Sequence, residues 1–314
     1  MDGLVVVVGG SGFLGRYVVQ ELAATGVRLR IVVRRPGAAS FLKPLVALGQ
    51  AQIVAGNVAN PADMKRAFDG ATAGVNLVGI LAETGKQTFA AVQAAGAGNA
   101  ARAAAAAGVG TYVQMSAIGA SAMSGARYAQ TKAAGEAAVL AALPNATVLR
   151  PSLVFGPEDQ FINRFAALGK ALPVVPVVAG NTRFQPVYVL DVAKAVVAAL
   201  RDPGRFGGRT FDLGGPRIYA FRDIIAWILR EIRVEKSMVE VPPFVARLMA
   251  RAGDIVPGAP MTSDQYVMLQ SDNVAAADGL AALGIPATPL EAIAPQYLER
   301  YRSGGRFHRD TAPD

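Results

Sequence analysis

An α/β fold, with a parallel sheet flanked by helices, is predicted by three features of this 314-residue chain. Short β-branched runs alternate with longer Ala- and Leu-rich segments through the first half, the rhythm of strands and covering helices. A glycine-rich turn joins the first of these runs to the first helical segment. Hydrophobic residues make up 52% and charged residues 17%, so a large core can be buried and general disorder is excluded.

Taken in order, strands are expected at 4–8, 29–33, 51–54, 74–78, 111–115 and 146–150, with helices near 13–24, 61–68, 86–107 and 127–142. The 86–107 segment is low in complexity, but its alanine content favours helix throughout. After Arg150-Pro151 the rhythm breaks into Gly, Pro and short mixed segments. Candidate helices remain there at 158–169, 190–200, 221–232, 243–252 and 289–302. This division predicts a dinucleotide-binding domain over 1–150. Residues 151–314 are expected to return partly to the sheet and to form a smaller lobe closing over the substrate. No internal repeat is evident, and the residues after Gly304-Gly305 read as a frayed tail.

Composition narrows the chemistry. The chain has no cysteine and one histidine, His308, near its end. Disulfides, thiolate zinc sites, iron–sulfur clusters and a cysteine nucleophile are excluded, and no metal site is expected. A Ser-His-Asp triad would have only that tail residue as its base. The net charge of +8 comes from scattered arginines rather than a basic block with interleaved aromatics. That argues against nucleic acid and for an anionic ligand or an acidic partner. Met1-Asp2-Gly3 leads straight into Leu4-Val5-Val6-Val7-Val8, unlike a signal peptide, and no apolar run has the length of a spanning helix. The expected location is cytoplasmic, or at most peripheral to the inner membrane.

Residues 5–16 read VVVVGGSGFLGR, which satisfies Gly10-x-Gly12-x-x-Gly15 and also Gly9-x-x-Gly12-x-x-Gly15. Placed between a strand and an amphipathic helix, the backbone of Gly9, Gly12, Phe13, Leu14 and Gly15 is suited to cradle a pyrophosphate. An acid about 20 residues further on would grip the ribose 2′-hydroxyl of NAD. This chain carries Arg34-Arg35 there, and Arg16 follows Gly15 directly. Arginine suits the 2′-phosphate of NADP, which a carboxylate would repel. The expected cofactor is therefore NADP(H) ahead of NAD(H), unless the arginines are merely solvated surface residues.

Ser116 ends the apolar run Thr111-Tyr112-Val113-Gln114-Met115, and Tyr128-Ala129-Gln130-Thr131-Lys132 follows twelve residues later. Tyr128 and Lys132 share one face of a helix. An ammonium beside a phenol favours the phenolate, so Tyr128 is the candidate acid/base, Lys132 its activator and Ser116 the group that orients a substrate oxygen.

With these residues in view, the chain resembles the short-chain dehydrogenase/reductase superfamily in its extended or atypical branch, over roughly residues 4–200. More narrowly, GGSGFLGRYVV, RYAQTKAAGE, LRPSLVFGPED and QPVYVLDVA resemble the NADPH-binding accessory subunits of respiratory complex I and their bacterial relatives. The resemblance implies a Rossmann-like doubly wound sheet with a smaller C-terminal lobe. It assigns Arg16 and Arg34 to NADPH, Gly79, Ile80 and Leu81 to the strand edge along the cofactor, and Pro151 and Val154 to the segment beside the nicotinamide. Lys132 is counted among the cofactor contacts as well. Relatives often carry an aspartate against adenine where Asn57-Val58 stands here, and Asn can still accept a hydrogen bond from the amino group. Mitochondrial members tend to lose the catalytic tyrosine or its setting, whereas Ser116, Tyr128 and Lys132 are all present here.

Weaker signals carry plain alternatives. Asp191 reads as a helix N-cap. Arg164 lines a substrate cleft or stands on a solvated helix face. The basic amphipathic segment 243–251 is either a lobe helix with its arginines in water or a surface for anionic lipid or a partner. The expected function is an NADP(H)-dependent oxidoreductase for an apolar carbonyl or quinone-like substrate. A non-catalytic NADPH-binding accessory protein of respiratory complex I is the second reading, with peripheral contact to that membrane complex. An epimerase or dehydratase of nucleotide sugars is the third.

Overall fold

The computed structural model describes residues 3–254, 256 and 261–303. His308 and the residues after Gly304 lie outside the described residues. Within the described part, the chain separates into two compact units. The first gathers Met1–Ser152, Val189–Gly214 and Ala275–Ala287; the second gathers Leu153–Tyr188, Gly215–Val274 and Thr288–Asp314.

The first unit is built on a seven-stranded sheet. In chain order its elements begin β1 (Leu4–Val8), α1 (Phe13–Ala23), β2 (Arg28–Val33), β3 (Ala51–Ala55), α2 (Pro61–Phe68) and β4 (Ala73–Asn76). They continue α3 (Gly96–Ala106), β5 (Thr111–Met115), α4 (Arg127–Ala142) and β6 (Thr147–Pro151). The seventh strand, Thr210–Leu213, pairs with β6, and the spatial order is Thr210–Leu213, β6, β5, β4, β1, β2, β3. Every pair is parallel. The order reverses at β1, so the carboxyl ends of β1 and β4 flank the switch point where open sheets bind ligands.

Alternation along β1 sends Val6 and Val8 into a core shared with Val32, Met64, Phe68, Ala100, Ala104 and Val139. Helix α1 turns Val18, Val19 and Leu22 inward and packs against the helix Val189–Arg201. Helix α2 spans the expected 61–68. Asn60 accepts the Ala62 N–H (3.1 Å), and Pro61 supplies the fixed first residue. The alanine-rich helix α3 packs on α2 and α4.

Three expectations are corrected. The helix expected from residue 86 begins at Phe89, because Thr84 and Gln87 pair across a tight hairpin at Gly85. Its first turns, Ala90–Ala95, are a π-helix rather than an α-helix. Asp191 is not at the N-cap position; it stands buried in the first turn of Val189–Arg201, where a negative charge suits the helix dipole.

The second unit packs the helices Ile162–Ala171, Phe221–Glu231 and Leu290–Leu298 around Phe155, Val175, Val177, Ile224 and Ile228. Asp159 sets the start of the first of these. Its buried carboxylate accepts the Ile162 N–H (2.6 Å) and the Tyr297 hydroxyl (2.9 Å). This explains a helix that begins at 162 rather than 158. Desolvation raises the Asp159 pKa against the pull of those hydrogen bonds.

Candidate functional site

The glycine turn is held backbone to backbone. Gly9 has φ +88°, a conformation open to glycine, and its N–H donates to the Val32 carbonyl (2.9 Å). The Gly12 N–H donates to the Gly9 carbonyl (3.1 Å). Below them, a Cβ at Gly15 would stand 2.4 Å from the Gly9 oxygen and 2.6 Å from the Gly10 carbonyl carbon. Helix α1 starts at exposed Gly12 with no side-chain cap and no acidic residue in its first turn. The first-turn amides and the positive dipole end are suited to an anion, and Gly12, Phe13, Leu14 and Gly15 form a cradle that fits a diphosphate.

Around the turn, the Arg16 guanidinium lies 4.9 Å from the centre of the Phe41 ring. Arg34 and Arg35 are exposed just beyond β2, and Arg34 donates to Gln87 Oε1 (3.0 Å). Asn57 Oδ1 accepts the Ala59 N–H (3.1 Å), and the Asn57 N–H is itself held by Asp63 (2.9 Å). Val58 is buried in the core, with its carbonyl on Asn99 Nδ2 (3.2 Å).

The edge beyond β4 adjoins the turn, since a Cβ at Gly9 would meet Val78 Cγ2 at 2.9 Å. Asn76 fixes this exit: its Oδ1 accepts the Val78 N–H (3.1 Å), while its Nδ2 donates to Gln114 Oε1 (3.1 Å). Gly79 is exposed, Ile80 half-buried and Leu81 62% exposed.

Gly79 meets Lys132 here. A Cβ at Gly79 would stand 3.1 Å from Lys132 Nζ and 3.7 Å from Gln93 Oε1. Lys132 is buried on the inner face of α4, 5.9 Å from the Tyr128 ring centre, and its Nζ makes a long contact to the Met115 carbonyl (3.4 Å). Desolvation pushes its pKa down to about 8, opposed by the Glu136 charge one turn on. Glu136 is in turn clamped by Arg150 through two bonds of 2.8 and 2.5 Å. Half-buried Tyr128 meets the Phe89 ring edge-to-face at 5.8 Å. Ser116 is fixed through its backbone N–H to the Leu149 carbonyl (2.7 Å), yet its buried Oγ has no hydrogen-bond partner among the described residues. A buried hydroxyl left open is rare in a finished core. Pro151 ends β6, and its carbonyl accepts the Ile118 N–H (3.1 Å). Val154 belongs to the second unit, in the short strand Val154–Phe155 paired with Val187–Tyr188.

Two residues escaped the sequence reading. Gln93 sits in the π-helical turn with its Oε1 buried and open. A Cβ at Gly135 would stand 2.2 Å from the Gln93 carbonyl oxygen, so this helix and α4 touch there. The available signal was one amide in an alanine run. Gln87 lay inside a stretch read as helix, and nothing in the sequence marked it.

The model of the NAD dependent epimerase/dehydratase family matches residues 5–214. NADH dehydrogenase [ubiquinone] 1 alpha subcomplex subunit 9, mitochondrial, from Arabidopsis thaliana is 33% identical, covering 97% of this chain and 80% of that protein. A ceramide reductase of Caulobacter vibrioides is 35% identical over 64% of this chain and 62% of its own length. The solved dTDP-glucose 4,6-dehydratase DesIV of Streptomyces venezuelae superposes with a TM-score of 0.73 at 18% identity, covering 95% of this chain and 96% of that one. The glycine cradle, the sheet order and the matched span agree: the chain belongs to the NAD dependent epimerase/dehydratase family, the extended branch of the short-chain dehydrogenases/reductases, and its first unit is a nicotinamide-dinucleotide-binding fold.

Proposed function

We propose that the protein is an NADP(H)-dependent oxidoreductase that reduces the carbonyl of an apolar, lipid- or quinone-like substrate. The observation that carries this reading is the buried, open Ser116 hydroxyl next in sequence to the carbonyl that Lys132 contacts. The cradle of Gly9, Gly12, Phe13, Leu14 and Gly15 would hold the diphosphate, Arg16, Arg34 and Arg35 the 2′-phosphate, and Gly79, Ile80, Leu81, Asn57, Val58, Pro151 and Val154 the remainder. When bound, the reduced nicotinamide supplies a hydride to the carbonyl carbon. Ser116 donates a hydrogen bond to the carbonyl oxygen, and Tyr128 gives that oxygen its proton. Near neutral pH, Lys132 with a pKa of about 8 is still mostly cationic, which eases proton loss from the phenol. The Caulobacter ceramide reductase is the reason for favouring a lipid carbonyl.

The test is oxidation of NADPH with a panel of lipid carbonyls and quinones. Tyr128→Phe should cut turnover at least ~10²-fold while NADPH affinity changes little. If no acceptor oxidises the nucleotide, the oxidoreductase reading fails. Turnover of a nucleotide sugar instead would point to epimerase or dehydratase chemistry.

A second reading, a cofactor-holding accessory protein peripheral to a membrane complex, is favoured by the likeness to the complex I subunits along the chain. The helix Pro243–Gly253 supports it. This helix buries small Ala246 and Ala250 and leaves Phe244 (75%) and Leu248 (69%) exposed beside Arg247 and Arg251. Among the described residues no helix is long and apolar enough to cross a membrane. Flotation with anionic vesicles at low salt, lost in Phe244→Ser/Leu248→Ser, would place the protein at a lipid surface. No flotation would count against it.

A further inference from the structure

We infer that Gln87 is a specificity-determining residue, which holds Arg34 in place for the 2′-phosphate of NADP(H) without neutralising its charge. The inference rests on the NADP(H) reading above.

Arg34 leaves the sheet two residues after Val32, whose carbonyl accepts the Gly9 N–H (2.9 Å). Arg34 therefore stems from the strand end beside the diphosphate cradle. It is exposed, and among the described residues its only hydrogen bond goes to Gln87 Oε1 (3.0 Å). A carboxylate at this point would pair with Arg34 and cancel its charge. An amide oxygen orients the same fork and leaves the charge intact.

The amide is itself positioned. Gln87 closes the hairpin through Thr84, with its N–H on the Thr84 carbonyl (3.0 Å) and its carbonyl accepting the Thr84 N–H (3.1 Å). The nearest acid in the hairpin, Glu83, is engaged elsewhere: it accepts the Phe89 N–H (2.7 Å) and pairs with Arg127 (3.3 Å). With Oε1 turned to Arg34, the Gln87 Nε2 hydrogens have no acceptor among the described residues. They remain available to donate to an anion that Arg34 draws in. Gln87 thus fixes the guanidinium with its charge intact and offers N–H donors, and it is the intact charge that favours a phosphate over a bare ribose hydroxyl.

The experiment measures the affinities of the whole protein for NADPH and NADH by calorimetry, at low and high salt, for wild type, Gln87→Glu, Gln87→Ala and Arg34→Ala. Wild type should prefer NADPH, and Arg34→Ala should abolish that preference. Gln87→Glu should weaken NADPH about fivefold, the scale of an exposed ion pair, and leave NADH within about twofold. Gln87→Ala should weaken NADPH about twofold, because the guanidinium keeps its charge but loses its fixed position. The wild-type preference and the Gln87→Glu deficit should both shrink at high salt. NADH affinity serves as the control for folding. If wild type prefers NADPH but both Gln87 variants keep its NADPH-to-NADH ratio, the role assigned to Gln87 is wrong and the cofactor reading stands. If wild type shows no preference for NADPH, the cofactor reading fails and takes this inference with it.

Discussion

Replacing Lys132 by methionine should stabilise the cofactor-free protein at neutral pH and abolish its chemistry. The side chain is buried, Glu136 is already clamped by Arg150, and the contact to the Met115 carbonyl is long at 3.4 Å. Burial lowers the pKa from 10.5 to about 8, so the folded state disfavours the proton that the unfolded chain holds up to its ordinary value. Because the folded pKa is depressed, stability rises as pH climbs from about 8 toward 10.5, and it is reduced below that window. At ~1.4 kcal/mol per unit, the penalty at pH 7 is about 3 kcal/mol and falls to about 1 kcal/mol at pH 10. Methionine, of similar length and without charge, escapes it. Urea titrations followed by circular dichroism at both pH values should show the variant more stable at pH 7, with the gap mostly closed at pH 10. A variant less stable than wild type at pH 7, or a gap indifferent to pH, would refute the argument.

Three further outcomes are expected. Gly15→Ala should abolish nucleotide binding by calorimetry and destabilise the fold by about 1–3 kcal/mol in urea, because its Cβ would stand 2.4 Å from the Gly9 oxygen. Tyr112→Phe should leave stability unchanged or raise it by about 1 kcal/mol in the same assay. The wild-type hydroxyl is buried with no partner among the described residues, and burial drives its pKa far up. Glu136→Gln should lower the Lys132 pKa further by removing a favourable charge. The corresponding limb of the pH–rate profile should then move to lower pH.

The sheet was legible in the sequence because buried parallel strands read as apolar β-branched runs, and β1 and β5 fall at the expected bounds. Helix α2 falls on the expected 61–68, and Asn60 and Pro61 account for its start. The pairing of Thr210–Leu213 with β6 was not, since a four-residue strand among Gly and Arg carries no period of its own. The π-helical turn was hidden for a different reason. An alanine run favours any helix, and the close approach of Gly135 to the Gln93 carbonyl is a tertiary fact. In the candidate site, the Tyr128/Lys132 spacing and the glycine turn were visible because both are local. The partner of Arg34 and the surroundings of Lys132 were not, because Gln87, Gly79 and Met115 arrive from distant segments.

The nucleotide-binding unit is assembled from three separated stretches of chain, the last ending at Ala287. A ribosome must therefore deliver the chain past Leu213 before that sheet can gain its outermost strand and the helix Val189–Arg201 can cover α1. Until then the nascent chain exposes the free edge of β6, an invitation to wrong pairing that a chaperone would have to shield. A gene fragment stopping near residue 150 should for the same reason yield aggregates rather than a small nucleotide-binding module.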